Sequence, residues 1–130
     1  DADPSRIINI GSVAGFGVGG VAFSYGASKA AIHQMTKNWA NQFAADRITV
    51  NAIAPGNTET PMNADIRTDP ELKPVLDFMA MLTPSGRTYS TAEEMANVAL
   101  FLASPITGKP MHGAIITADE GFSAGLFVAG

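Results

Sequence analysis

The 130-residue sequence contains no cysteine. This excludes a disulfide framework, a cysteine nucleophile and any thiolate metal site. Basic residues are also few: eight Lys and Arg stand against twelve Asp and Glu, for a formal charge of −4. Because the sequence has no cluster of Lys and Arg that could bind along a phosphate backbone, nucleic acid is not an expected partner. His33 and His112 lack companion ligands at metal-binding spacing, so no metal site is expected.

Long apolar runs are missing as well. No stretch reaches the roughly 20 residues that a membrane span requires, and no basic-then-apolar segment opens the chain. We therefore expect no membrane association and a cytoplasmic location. The hydrophobic content of 46% predicts a single globular domain over residues 1–130 with a core of its own.

The order of hydrophobic patterns predicts an α/β fold. Residues 6–10 (RIINI) and 47–53 (RITVNAI) are β-branched runs typical of strands, and residues 112–118 are interpreted as a third. Thr91 and Glu94 form a capping box that opens a helix. A series of strand, helix, strand, loop, helix and strand predicts part of a doubly wound, Rossmann-like parallel sheet, with its functional side at the carboxyl ends of the strands.

The longest predicted helix covers residues 24–45. Its apolar positions recur every four residues, and its small residues come first, which predicts close approach of the first turns to a neighbour. The expected packing face consists of Ala27, Ala31, Met35, Trp39 and Phe43. Residues 57–87 are rich in proline and charge, which indicates a partly helical lid or binding loop.

Tyr25 and Lys29 stand four residues apart at the start of this helix and so share a face. A phenol has a pKa of about 10, and a nearby ammonium favours its ionised form, so the pair suits proton transfer. Ser12 follows the first strand and could hydrogen-bond a substrate oxygen in the same cleft. The spacing alone also fits a solvated helix start, since short motifs arise by chance.

Several segments together resemble the short-chain dehydrogenase/reductase family over residues 6–125. The resemblance is carried by the strand ending in Gly11-Ser12, by YGASK at residues 25–29, by VNAIAPG at 50–56, by TPSGR at 83–87 with the helix that follows, and by residues 113–125. The order and spacing of these segments make them more specific together than any one of them.

This resemblance implies an oxidoreductase that transfers a hydride between NAD or NADP and a small carbonyl or alcohol. Tyr25 would be the general acid/base, Ser12 would polarise the substrate oxygen, and Lys29 would favour the phenolate and bind the nicotinamide ribose. The turn under the nicotinamide and its carboxamide contacts would come from Pro55, Gly56, the Thr58 backbone and the Thr60 hydroxyl. A dimer or tetramer is implied. From the residues alone, a threonine-rich loop after a turn also fits local backbone capping.

Gly15, Gly17 and Gly20 match the G-x-G-x-x-G dinucleotide fingerprint. That fingerprint holds pyrophosphate at a helix N-terminus directly after a strand, with an acidic residue about 20 positions later. Here four residues separate the strand from Gly15, and the first acidic residue after the motif is Asp46. We therefore favour a pliable loop on the substrate side.

The family's first strand, cofactor loop and active-site Asn have no counterpart in this sequence. The chain resembles the C-terminal catalytic and substrate portion, and its start without Met suggests that a segment precedes it. Half of such a sheet would expose its first strand as an edge. Two alternatives stay open: a non-catalytic assembly module that pairs this edge, and a small-molecule binder without turnover.

Overall fold

The computed structural model describes residues 3–18 and 23–125. Short 3-10 turns link its helices and strands. The elements, in chain order, are β1 (Ser5–Ile10), α1 (Phe23–Gln42), β2 (Ile48–Pro55), α2 (Ala64–Thr68), α3 (Lys73–Leu82), α4 (Ala92–Ala103) and β3 (Ile115–Ala118). This series confirms the predicted α/β class.

Three parallel strands form the sheet, in the order β1-β2-β3. Ile7 lies opposite Val50, and Ile53 opposite Ile116, so β2 is central. Its apolar residues Val50, Ala52, Ile53 and Ala54 are at most 1% exposed. A parallel strand covered on both faces needs such a run rather than an alternating pattern. All three strands therefore present their carboxyl ends at one edge of the sheet.

Asn51 lies inside β2 and is 2% exposed. Its Nδ2 donates to the Met111 carbonyl oxygen at 3.0 Å, and its Oδ1 accepts from the Ala114 N–H at 2.9 Å. This side chain thus binds the backbone segment ahead of β3. The segment also pairs with β2 through the Gly113 N–H and the Ala114 carbonyl oxygen, but the Ala114 N–H bonds to the Asn51 side chain and Gly113 has a φ of 76°. Regular pairing therefore begins only at Ile115, and the strand predicted over residues 112–118 is too long at its start.

The packing face predicted for α1 is wrong in its first half. Ala27 and Ala31 are exposed, whereas His33, Thr36 and Ala40 are buried. The close approach predicted for the first turns is present, but at a different residue: a Cβ on Gly26 would lie 3.1 Å from the Ala14 carbonyl oxygen. Since the helix turns this side toward the loop after β1, the alanines face outward.

The region predicted as a lid is partly helical, as expected, and contains α2 and α3. Its two ends meet in a short parallel bridge between Thr58 and Ser90. The Glu59 N–H donates to the Ser90 carbonyl oxygen at 2.8 Å, and the Ser90 N–H to that of Asn57 at 2.9 Å. The segment is therefore closed into a loop beside the carboxyl end of β2.

The capping box predicted at α4 is confirmed. The Glu94 N–H donates to Thr91 Oγ1 at 3.1 Å, and the Thr91 N–H donates to Glu94 Oε1 at 2.8 Å. The guanidinium of Arg87 binds Glu94 Oε2 at 2.7 Å and also contacts the Glu120 carboxylate. This cluster ties the loop end, α4 and the segment after β3 together.

Among residues 3–18 and 23–125, no helix has both the length and the apolar character that crossing a bilayer would demand.

Candidate active site

Tyr25 and Lys29 lie in the first turns of α1. The Lys29 Nζ donates to the carbonyl oxygen of Ile10, the last residue of β1, at 3.2 Å. The same ammonium stands 5.7 Å from the centre of the Tyr25 ring. Tyr25 is 45% exposed, so its phenol is accessible from outside. The helix start and the strand end thus place a cation beside an accessible phenol.

Ser12 follows β1 in an extended conformation. The Gly11 N–H before it donates to the Ile53 carbonyl oxygen at 2.8 Å, which extends the pairing of β1 with β2. The Ser12 Oγ accepts from the Ala14 N–H at 3.1 Å and so caps the 3-10 turn Val13–Phe16. Its hydroxyl proton stays available for another acceptor, because this bond uses only the oxygen.

One cavity of about 540 Å³ lies at the carboxyl ends of β1 and β2. All the site residues singled out from the sequence line it: Ser12, Tyr25, Lys29, Pro55, Gly56, Thr58 and Thr60. Met79 on α3 lines it too, whereas Met81 on the same helix is 66% exposed. The fold therefore gathers residues from four separate parts of the chain around one space.

A second cavity, of about 350 Å³, adjoins the first and shares Ser12, Tyr25, Gly56 and Asn57 with it. The rest of its wall is apolar and consists of Val13, Ala14, Val18 and Phe122. No charged side chain of the described residues lines it. Ser12 and Tyr25 thus stand between a space with an ammonium and a space without charge. Asn57 and Phe122 were not singled out from the sequence.

Asn63 braces the threonine loop and was also missed. Its Nδ2 donates to the Thr58 carbonyl oxygen at 2.7 Å, and its Oδ1 accepts from the Thr60 N–H at 3.1 Å. Arg67 binds the same Oδ1 at 2.7 Å and the Thr60 carbonyl oxygen at 3.0 Å. A Thr-Pro-x-Asn spacing is a turn signal that could have indicated this cap.

Gly56 gives the turn after β2 a close approach to the segment after β3. A Cβ there would lie 2.8 Å from the Asp119 Cβ. Asp119 accepts from the Gly121 N–H at 3.1 Å and from the Ser123 N–H at 2.7 Å. These bonds wrap the chain around the carboxylate and place Phe122 in the uncharged cavity.

Two glycines of the G-x-G-x-x-G motif, Gly15 and Gly17, lie within the described residues, and there they allow close packing and a tight turn. A Cβ on Gly15 would lie 2.7 Å from the His33 ring and 2.9 Å from the Ala30 nitrogen. Gly17 has a φ of 82° and ends the 3-10 turn, a conformation that favours glycine. Gly20, the last residue of the motif, lies outside the described residues.

The sequence matches, over residues 2–123, a protein family described as enoyl-(acyl carrier protein) reductase. A curated relative from Pseudomonas aeruginosa, a rhamnolipids biosynthesis 3-oxoacyl-[acyl-carrier-protein] reductase, is 41% identical over 92% of this chain. A galactitol 2-dehydrogenase (L-tagatose-forming) from Cereibacter sphaeroides is 40% identical over 90% of it. The chain spans about half the length of these relatives, 45% of each.

Solved structures show the same relationship. The RhlG/NADP active-site complex of Pseudomonas aeruginosa superposes with a TM-score of 0.82 and 41% identity, covering 92% of this chain and 47% of that one. A putative 2-deoxy-D-gluconate 3-dehydrogenase from Agrobacterium tumefaciens with bound NADP gives a TM-score of 0.78 at 35% identity, covering 93% and 47%.

Proposed function

The chain belongs to the short-chain dehydrogenase/reductase family, and from this premise we propose that it forms the C-terminal catalytic portion of an NAD- or NADP-dependent oxidoreductase. The reaction is hydride transfer between the nicotinamide and a small carbonyl or alcohol. The observation that carries the proposal is the gathering of Ser12, Tyr25 and Lys29 at one cavity.

Tyr25 is the group that moves the proton. Its phenol is accessible, and the Lys29 ammonium stands 5.7 Å from the centre of its ring. During reduction the phenol gives its proton to the carbonyl oxygen, and during oxidation the phenolate takes it from the alcohol. The Ser12 hydroxyl donates a hydrogen bond to the same oxygen and stabilises the negative charge that develops there.

The larger cavity has the donor set that a nicotinamide nucleotide requires. An ammonium has three donors, and Lys29 uses one of them on Ile10, which leaves others for ribose hydroxyls. Thr58 and Thr60 line the same cavity, in the loop that Asn63 holds in place. A nicotinamide held there would supply or accept the hydride, chemistry that no side chain offers.

The uncharged cavity is the place for the substrate. A carbonyl oxygen between Ser12 and Tyr25 leaves its substituents against Val13, Val18 and Phe122. The relatives named above include a 3-oxoacyl-[acyl-carrier-protein] reductase and a galactitol 2-dehydrogenase, so their names do not define one substrate class.

A dimer or tetramer is part of the proposal. Leu100, Phe101 and Ile106, at and beyond the end of α4, are 64%, 43% and 84% exposed. Apolar side chains grouped in this way favour burial between subunits. Light scattering at micromolar concentration tests the assembly, and a strict monomer would contradict it.

A second candidate is an assembly module without catalysis. It is favoured by β1, which pairs on one side only within the described residues and so offers an open edge. Titration of the protein with NADH and with NADPH distinguishes the candidates. Binding of either, followed by its oxidation with a ketone or aldehyde, supports the oxidoreductase, whereas no binding of either favours the module. Binding without turnover of any carbonyl tested would favour a small-molecule binder.

A further inference from the structure

His33 is a buried titratable residue that the proposed reaction does not use. It lies on α1 one turn after Lys29 and is 6% exposed. Its Nε2 accepts the Ser12 N–H at 3.3 Å. No other acceptor bonds to that N–H within the described residues. The backbone of the proposed polarising serine is therefore bound to a side chain of the helix that holds Tyr25 and Lys29.

The surrounding chain leaves room for the imidazole. A Cβ on Gly11 would overlap the ring, and one on Gly15 would lie 2.7 Å from its Cε1. The Phe16 ring covers another side, with the two ring centres 4.6 Å apart. These contacts fix the ring against the loop after β1, so that Nε2 meets the Ser12 amide.

The protonation state of the ring follows from this bond. Nε2 can accept only if the imidazole is neutral and its proton is on Nδ1. Nδ1 is buried and has no hydrogen-bond partner in the described part of the chain. A residue that served packing alone would fill this space without an unpartnered polar atom, as leucine would. The feature that histidine adds is the acceptor at Nε2.

We propose that His33 is a positioning residue for Ser12: by accepting the Ser12 N–H it directs the serine hydroxyl toward the oxygen that Tyr25 protonates. This inference rests on the proposed function for its catalytic meaning, but not for the hydrogen bond itself. Protonation of His33 removes the acceptor, so the bond opens as the pH falls.

The groups around the ring favour its neutral form. Burial and the Lys29 charge lower the His33 pKa below its ordinary value of 6.5. Residues 11–18 and 48–55, which pack against this end of α1, contain no titratable side chain. Lys29, on its own helix, is thus the charged group that faces the ring.

The first test follows the Ser12 amide by nuclear magnetic resonance, without any substrate. In the wild-type protein the Ser12 amide shift should change with pH at the midpoint of the His33 ring signals, below pH 6.5. His33→Gln, which keeps an acceptor, should show no such titration. His33→Leu should exchange the Ser12 amide proton about fivefold to tenfold faster than His33→Gln.

The matched control is His112, which lines neither described cavity. It accepts the Val50 N–H through Nδ1 at 3.2 Å and contacts the Ala40 carbonyl oxygen at 2.6 Å. His112→Gln should leave the Ser12 titration unchanged. A Ser12 shift that stays constant while His33 titrates would overturn the proposal, and this result needs no variant to fold.

The second test uses turnover. His33→Leu should lower kcat about tenfold with little change in KM, since misplacement of a catalytic group affects the reaction more than binding. His33→Gln should recover most of the loss and should lack the wild-type decline in rate at low pH. If the wild-type protein turns over no carbonyl, the proposed function fails while the amide measurements still decide the role of His33. Equal kcat in the wild-type protein and in both variants would overturn the positioning role of His33.

Discussion

The ammonium of Lys29 donates a hydrogen bond to the carbonyl oxygen of Ile10 at 3.2 Å. This bond joins the helix that holds Tyr25 to the strand that leads to Ser12. A lysine side chain in water adopts many rotamers. The hydrogen bond to this carbonyl favours the rotamers that keep the ammonium near Ile10. The bond therefore holds the Lys29 ammonium close to Tyr25, the proposed proton donor.

Replacement of this lysine tests both roles proposed for it. Lys29→Met should weaken NAD(P)H binding by about tenfold to a hundredfold, the range for a hydrogen bond from a charged group, and should also lower the rate. Lys37→Met is the matched control, because Lys37 also lies on α1 and donates to a carbonyl, that of Gly113. Fluorescence titration measures both affinities, and equal affinities would exclude a ribose contact by Lys29.

Removal of the Tyr25 hydroxyl should slow the reaction strongly while leaving the fold intact. We expect Tyr25→Phe to lower carbonyl reduction roughly 10²-fold to 10⁴-fold, the usual contribution of a positioned proton donor. No hydrogen bond of the described residues involves this hydroxyl, so the thermal unfolding midpoint should hardly change. Retained turnover in a stopped-flow assay would rule out the role assigned to Tyr25.

Ser12→Ala should lower kcat by roughly 10²-fold to 10³-fold, because a donor to the developing oxyanion is lost. The same change removes the cap on Ala14, which should cost about 1 kcal/mol of stability. Denaturant unfolding measures the second effect separately from the first. A fall in stability with full activity would leave Ser12 with a structural role only.

Glu94 should make stability depend on acid pH. Its bonds to Arg87 and Thr91 lower its pKa from 4.5 to about 2. Since the folded state favours the carboxylate, this contribution is complete above about pH 4.5 and is lost as the pH falls toward 2. Glu94→Gln should therefore melt below the wild type at neutral pH, with a difference that closes on acidification.

Glu93→Gln is the control for this prediction, because it removes a charge from the same helix turn without breaking the Arg87 contact. Its melting temperature should differ less from that of the wild type. Scanning calorimetry at several pH values and at low salt gives the comparison. A Glu94→Gln difference as large at pH 2 as at neutral pH would show that the charge is not the cause.

Local signals account for the parts of the fold and site that the sequence predicts. Pro55 and Gly56 end β2 through their own backbone preferences, and the hydroxyl of Thr91 caps the helix that follows it. Parallel strands place their carboxyl ends together, so the proximity of Ser12 to the turn after β2 follows from topology. These features depend on a few neighbouring residues or on strand order alone.

Contacts between distant segments explain the misses. The face of α1 depends on Gly26 and Gly15, which let the loop after β1 approach the helix closely, so the spacing of Ala27 and Ala31 carries no information about burial. Likewise, β3 starts late because the Ala114 N–H bonds to the Asn51 side chain, more than 60 residues away, and Gly113 has a positive φ. An amide in a strand pattern gives no sign of its partner.

The Asn51 amide also makes one wall of the site depend on a distant part of the chain. It bonds the backbone ahead of β3 and so holds the start of that strand in one register against β2. The segment after β3 brings Phe122 to the wall of the uncharged cavity. The substrate side of the proposed site therefore depends on a stretch of chain that docks onto a strand more than 60 residues earlier.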